Sequence, residues 1–107
     1  MTTLTDKETQ MLVAFIAAGV DVNGADTAEE LKQDNMTWMS ATDLCDALGW
    51  NKQEVGGVMS SLDTKGLIED SQESSRGARD TDWTATSAGI DIGYPLYLET
   101  LQLVPGI

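Results

Sequence analysis

A chain of 107 residues, 41% of them hydrophobic, has the size and apolar content for one compact domain and is too apolar to be disordered throughout. Eighteen acidic against six basic residues give a formal net charge of −12, which disfavours nonspecific attraction to nucleic acid or to an anionic membrane. The absence of histidine removes the commonest general base and the commonest zinc ligand.

In chain order, Thr5-Asp6-Lys7-Glu8 has capping-box spacing, in which the Thr5 hydroxyl takes the Glu8 amide and Glu8 reaches back. Met11, Leu12, Phe15 and Ile16 follow at helical spacing and Gly19 reads as the stop, which predicts a first helix over 6–18. Residues 19–37 read as an insertion: a loop through GVDVNGAD, then a short acidic helix over 28–34 behind a second box at Thr27–Glu30. Met36, Trp38 and Met39 suit a brief strand. Ser40 to Asp43 starts the next helix, with Leu44, Cys45 and Leu48 on one face and Gly49 where a left-handed cap is wanted. Asn51 caps a further helix whose Val55, Val58, Met59 and Leu62 fall at i, i+3, i+4 and i+7. Gly66 stops it, and Leu67-Ile68 begins a strand.

The polar stretch 71–80, SQESSRGARD, reads as an exposed hairpin tip, and Thr81 to Ala85 as the returning strand. Thr86 to Gly89 opens a last short helix. The apolar tail, 94–107, is expected to pack on the core or on a second subunit. The fold class that results is mainly α with a small antiparallel β hairpin, in one domain over residues 1–107. No apolar run reaches the roughly 20 residues that span a bilayer, and the first ten residues lack the pattern of a secretory signal. A soluble cytoplasmic protein is expected, with its single cysteine, Cys45, buried and structural.

The order helix, strand, helix, turn, helix, strand, tip, strand resembles a winged helix-turn-helix domain. Lys65-Gly66-Leu67-Ile68 resembles the end of the recognition helix and the following strand in MarR-like regulators. Trp83 to Gly89 is similar to their closing strand and the threonine-x-x-glycine turn after it. The resemblance covers roughly residues 5–90. It implies a small regulator that binds duplex DNA and pairs as a homodimer through its terminal segments, here Tyr94 to Val104. On this reading Gln53 and Ser60 face base edges, Gly56 and Gly57 allow close approach, and Lys52, Lys65, Arg76 and Arg79 contact phosphates, giving weak, salt-sensitive binding.

The residues also support a different reading. Of that helix face, only Gln53 fits well the side chains that read base edges. Span 51–80 holds six acids against four bases, a balance of −2. The alternative is an acidic protein-interaction module (adaptor, inhibitor or DNA mimic) that engages a basic partner, with Trp50, Tyr94, Tyr97 and Leu101 as interface candidates. The net charge is equally read as a solubility device.

Glycine inside a helix costs about 1 kcal/mol relative to alanine, so Gly56 and Gly57 need an offset, either close packing within the domain or close approach of a partner. Residues 21–32 fit a calcium loop poorly, because Ala25 and Lys32 stand where ligands are needed. No histidine is present to activate Cys45, and no carboxylates fall in a spacing that demands a catalytic pair. Neither catalytic residues, metal nor cofactor are expected, and the chain is not read as an enzyme.

Overall fold

The computed structural model describes residues 4–33, 37–70 and 83–102. Helix α1 (Asp6–Asn23) begins at Thr5: its hydroxyl accepts from the Glu8 amide at 3.1 Å, and the Glu8 carboxylate accepts from the Thr5 amide at 2.9 Å. The helix does not stop at Gly19 but runs on to Asn23. Gly24, at φ 69°, takes the left-handed cap and donates its N–H to the Val20 carbonyl. Gly19 serves packing instead. A Cβ there would lie 2.6 Å from Thr37 Cγ2 and 2.9 Å from Leu31 Cδ1. The missing side chain lets helix α2 (Ala28–Gln33) and the Thr37 segment close on α1.

Helix α3 (Ala41–Leu48) carries the expected Ser40–Asp43 capping box and ends at Gly49, φ 74°. After a turn over residues 49–51, the Asn51 side chain accepts from the Glu54 amide at 2.8 Å and starts helix α4 (Lys52–Thr64). Val55, Met59 and Leu62 of α4 are buried. Strand β1 (Ile68–Asp70) pairs antiparallel with β2 (Trp83–Ala85), with Ile68 opposite Ala85 and Asp70 opposite Trp83. The strand expected near Met36 to Met39 contracts to one bridge, Met39 with Trp83, whose two N–H···O bonds are both 2.9 Å. Buried Thr37 adds a bond, its Oγ1 accepting from the Ala85 amide at 2.9 Å. The expected hairpin tip, with Arg76 and Arg79, lies outside the described residues.

The largest departure is at the C-terminal end. The last helix is not short: α5 (Ser87–Gln102) runs through Pro95 where a tail was expected from Tyr94. Proline removes one helical hydrogen bond, but Pro95 is on the exposed side, where water can satisfy the Asp91 carbonyl left without it. Buried Ile90 and Tyr94 hold the turns before Pro95 on the core, and half-buried Tyr97 continues the contact after it. The fold is thus mainly helical with a two-stranded antiparallel sheet.

Helix α1 lies at the centre. Its Met11, Leu12, Phe15 and Ile16 are fully buried, in one cluster with Leu31, Leu44, Val55, Met59, Leu62, Ile68, Ile90 and Tyr94. Two glycines of α5 set how closely that helix packs. A Cβ on Gly93 would meet Ile16 Cγ1 at 2.9 Å and Leu12 Cγ at 3.0 Å; one on Gly89 would lie 2.0 Å from the Leu67 carbonyl oxygen. Thr86 locks this junction, donating its hydroxyl to the Gly66 carbonyl at 2.7 Å and accepting from the Gly89 amide at 3.0 Å. Backbone cannot yield as a flexible side chain can. Gly89→Ala is therefore expected to destabilise the fold by about 2–4 kcal/mol in urea denaturation, whereas an alanine at exposed Ser87 changes stability by less than about 0.5 kcal/mol.

Candidate nucleic-acid interface

The turn between α3 and α4 presents one face of α4 outward. Lys52, Gln53, Gly56, Gly57 and Ser60 are all exposed on it. Nothing lies within 4 Å of a Cβ built on Gly56 or Gly57. Packing within the domain, one of the two offsets considered for these glycines, is thereby ruled out among the described residues. The face is smooth, polar and open.

Lys65 is not laid out for solvent as a phosphate contact would be. Its Nζ reaches across to helix α1 and donates to Glu8 Oε1 at 2.6 Å. Glu8 is buried, 2% exposed, and also accepts from the Ser61 hydroxyl and the Thr5 amide. These bonds, Lys65 first and then Ser61 and Thr5, pull the Glu8 carboxyl down from 4.5 to about 2, against the opposing effect of burial. A capping residue therefore doubles as a clamp between the start of α1 and the end of α4.

The other described lysines are also engaged, apart from Lys52. Lys7 pairs with Glu54 and places its ammonium 5.7 Å from the centre of the Trp50 ring. Lys32 pairs with Asp91 at 2.8 Å, and this hydrogen bond raises its pKa. Between Lys52 and Leu62 the one acid is Glu54, already matched by Lys7. The first two turns of the outer face of α4 therefore carry no unmatched acid, and exposed Asp63 lies at its C-terminal end, one turn beyond Ser60.

The interface candidates separate. Tyr94 is a core residue, 7% exposed, and burial pushes its phenol pKa up. Tyr97 is half-buried, with its ring centre 6.0 Å from that of Tyr94. Trp50 is half-buried under Lys7, and Leu101 lies within α5. Cys45, read as buried, is half-buried against the core as a free thiol. Among the described residues, the exposed large apolar ones are instead Val22, Trp38 and Leu98. The sequence reading missed the Glu8–Lys65 and Lys7–Glu54 pairs, whose partners lie far apart in the chain.

No helix of the described residues is long and apolar enough to cross a membrane. Compared with protein-family models, curated proteins and solved structures, the chain matches none.

The Glu8 clamp has a pH signature. Its folded carboxyl titrates below its unfolded value, so its stabilisation is complete above about pH 5 and is lost as pH falls towards 2. Glu8→Gln is expected to be less stable than the parent by about 2–3 kcal/mol at pH 6, allowing for the partly exposed Lys65 ammonium. That gap should close progressively between about pH 5 and pH 2.5 in denaturant melts. A gap that stays constant over this range would exclude an ionised Glu8 as the source.

Proposed function

We propose that this chain is a winged-helix protein that binds duplex DNA through the outer face of α4, as the MarR-like resemblance implies. One observation carries the reading. Gly56 and Gly57 weaken an exposed helix, and no described residue lies within 4 Å of a side chain built on either, which supports compensation by a partner from outside. A face without protruding side chains lets helix backbone approach a sugar–phosphate wall or groove floor closely. Lys52 at the start of α4 and Arg76 and Arg79 between the strands supply phosphate contacts. The acidic remainder repels DNA and so favours the encounter in which α4 leads.

Such an interface holds by backbone contacts more than by base reading, since Gln53 is its one strong base-edge reader. Three phosphate contacts give a salt slope of about −0.9 each. Titration of a duplex at about 50 mM and then about 200 mM salt tests the reading; absence of binding at the lower salt would end it. Lys52→Ala, Arg76→Ala and Arg79→Ala should each weaken binding for all sequences and flatten the slope by about one contact. The double variant Gly56→Ala, Gly57→Ala gives opposed effects. It should raise folding stability by about 1–2 kcal/mol, because both sites are open and helical, while weakening DNA binding at least about tenfold.

A further inference from the structure

A groove of about 670 Å³, with no α4 residue in its lining, lies between the second half of α1, Met39, the end of α3 and Tyr97 of α5. Its floor is small: Ala14, Ala17, Ala18 and Ala47 line it, with Met39 and Tyr97 as larger walls. Ala14, Ala17, Ala18 and Asp21 recur at i, i+3, i+4 and i+7, so they form one continuous face of α1. This face is left over after α1 has buried Met11, Leu12, Phe15 and Ile16 in the core. An alanine floor under longer walls leaves room for bulky apolar side chains from outside, as in helix-in-groove recognition.

The charge around the groove selects the occupant. Asp21 lines it, and Asp43 stands one turn before Ala47 on the same face of α3. No lysine lines the groove, and Lys7, Lys32 and Lys65 are occupied by ion pairs elsewhere. An anionic lipid surface is repelled by such a rim. A second copy of this chain would bring another −12 against it, with exposed apolar Val22 and Leu98 themselves next to Asp21 and Glu99. We infer that the groove docks an amphipathic helix of a partner protein, one that sets large aliphatic or aromatic side chains on the alanine floor and flanks them with lysine or arginine. This site stands on a different surface from the DNA-binding reading and does not depend on it.

The test uses the full chain and an amphipathic leucine–lysine peptide of about 18 residues, with a leucine–glutamate peptide of the same apolar face as control. Binding is followed by amide chemical shifts and by fluorescence anisotropy at about 150 mM salt, where distant charges are screened. The expected result is binding of the lysine peptide only, with shifts centred on Ala14, Ala17, Ala18 and Ala47. Ala47→Trp, at an exposed position, should fill the groove and weaken binding at least about tenfold with an unchanged circular dichroism spectrum. Asp21→Lys should weaken it about three- to fivefold, and Gly56→Ala with Gly57→Ala not at all. The proposal is overturned if Ala47→Trp leaves binding intact, which would mean diffuse attraction to an acidic surface. It is overturned equally if the control peptide binds as well, or if sedimentation shows a dimer that Ala47→Trp dissociates. Duplex-DNA titration of Ala47→Trp reports on α4 alone, so failure of one reading is distinguishable from failure of the other.

Discussion

A single buried carboxylate ties the first helix to the helix that displays the candidate interface. Glu8 begins as a local device, closing the hydrogen bonds at the start of α1, and its remaining capacity is taken by Ser61 and Lys65 near the end of α4. A buried carboxylate without these donors would be costly, so the two helix ends are held in one relative position. The aliphatic contacts of α4 with the core define which side faces inward. The Glu8 network adds direction, because hydrogen bonds tolerate far less displacement than apolar packing. The orientation of the α4 outer face follows from both.

The same ion pairs reshape the meaning of a strongly negative net charge. Charge summed over a sequence says little about where potential is felt, since a paired carboxylate contributes weakly beyond a Debye length. Here lysines from α1, from α2 and from the C-cap of α4 neutralise carboxylates on other elements or at a helix start. The result is an uneven surface. On the proposed DNA-binding reading, the start of the α4 outer face, with Lys52 and no unmatched acid, is the approach to a duplex. The alanine groove, lined by none of the α4 residues, keeps Asp21 at its edge, and attraction there runs towards cations.

Glycines in this chain perform two opposite tasks. Gly19, Gly89 and Gly93 are placed where another segment comes so close that a methyl group would collide with it, so they belong to the packing of α1, α2 and α5. Around Gly56 and Gly57 no described atom lies within 4 Å of where a side chain would start. Residue type is identical and the helical context is similar, yet the first group explains itself within the molecule and the second, among the described residues, does not. That contrast is what gives the α4 face its functional interest.

Local chemistry was legible in the sequence. The boxes at Thr5–Glu8 and Ser40–Asp43, the Asn51 cap, the left-handed Gly49 and the buried stripe of α4 all follow from spacings of three and four residues, and these act within one helical turn. So did the hairpin between Ile68 and Ala85, and with it the mainly helical class. What depends on distant partners was not. Gly19 looked like a stop because its reason for being glycine, Thr37 and Leu31, lies on other segments. The last helix looked short, with a tail from Tyr94, because the burial of Ile90 and Tyr94 that carries it through Pro95 is tertiary. Of the candidate site, the residues of the α4 face were named from sequence, but Lys65 belongs to Glu8 at a separation of 57 residues, and Tyr94 belongs to the core. The sequence by itself determined where helices and strands begin, because capping and periodicity are short-range. Only the tertiary structure decided which charges remain unpaired, which glycines are crowded and where the alanines of α1 open into a groove, because each requires groups brought together by the packing of the whole chain.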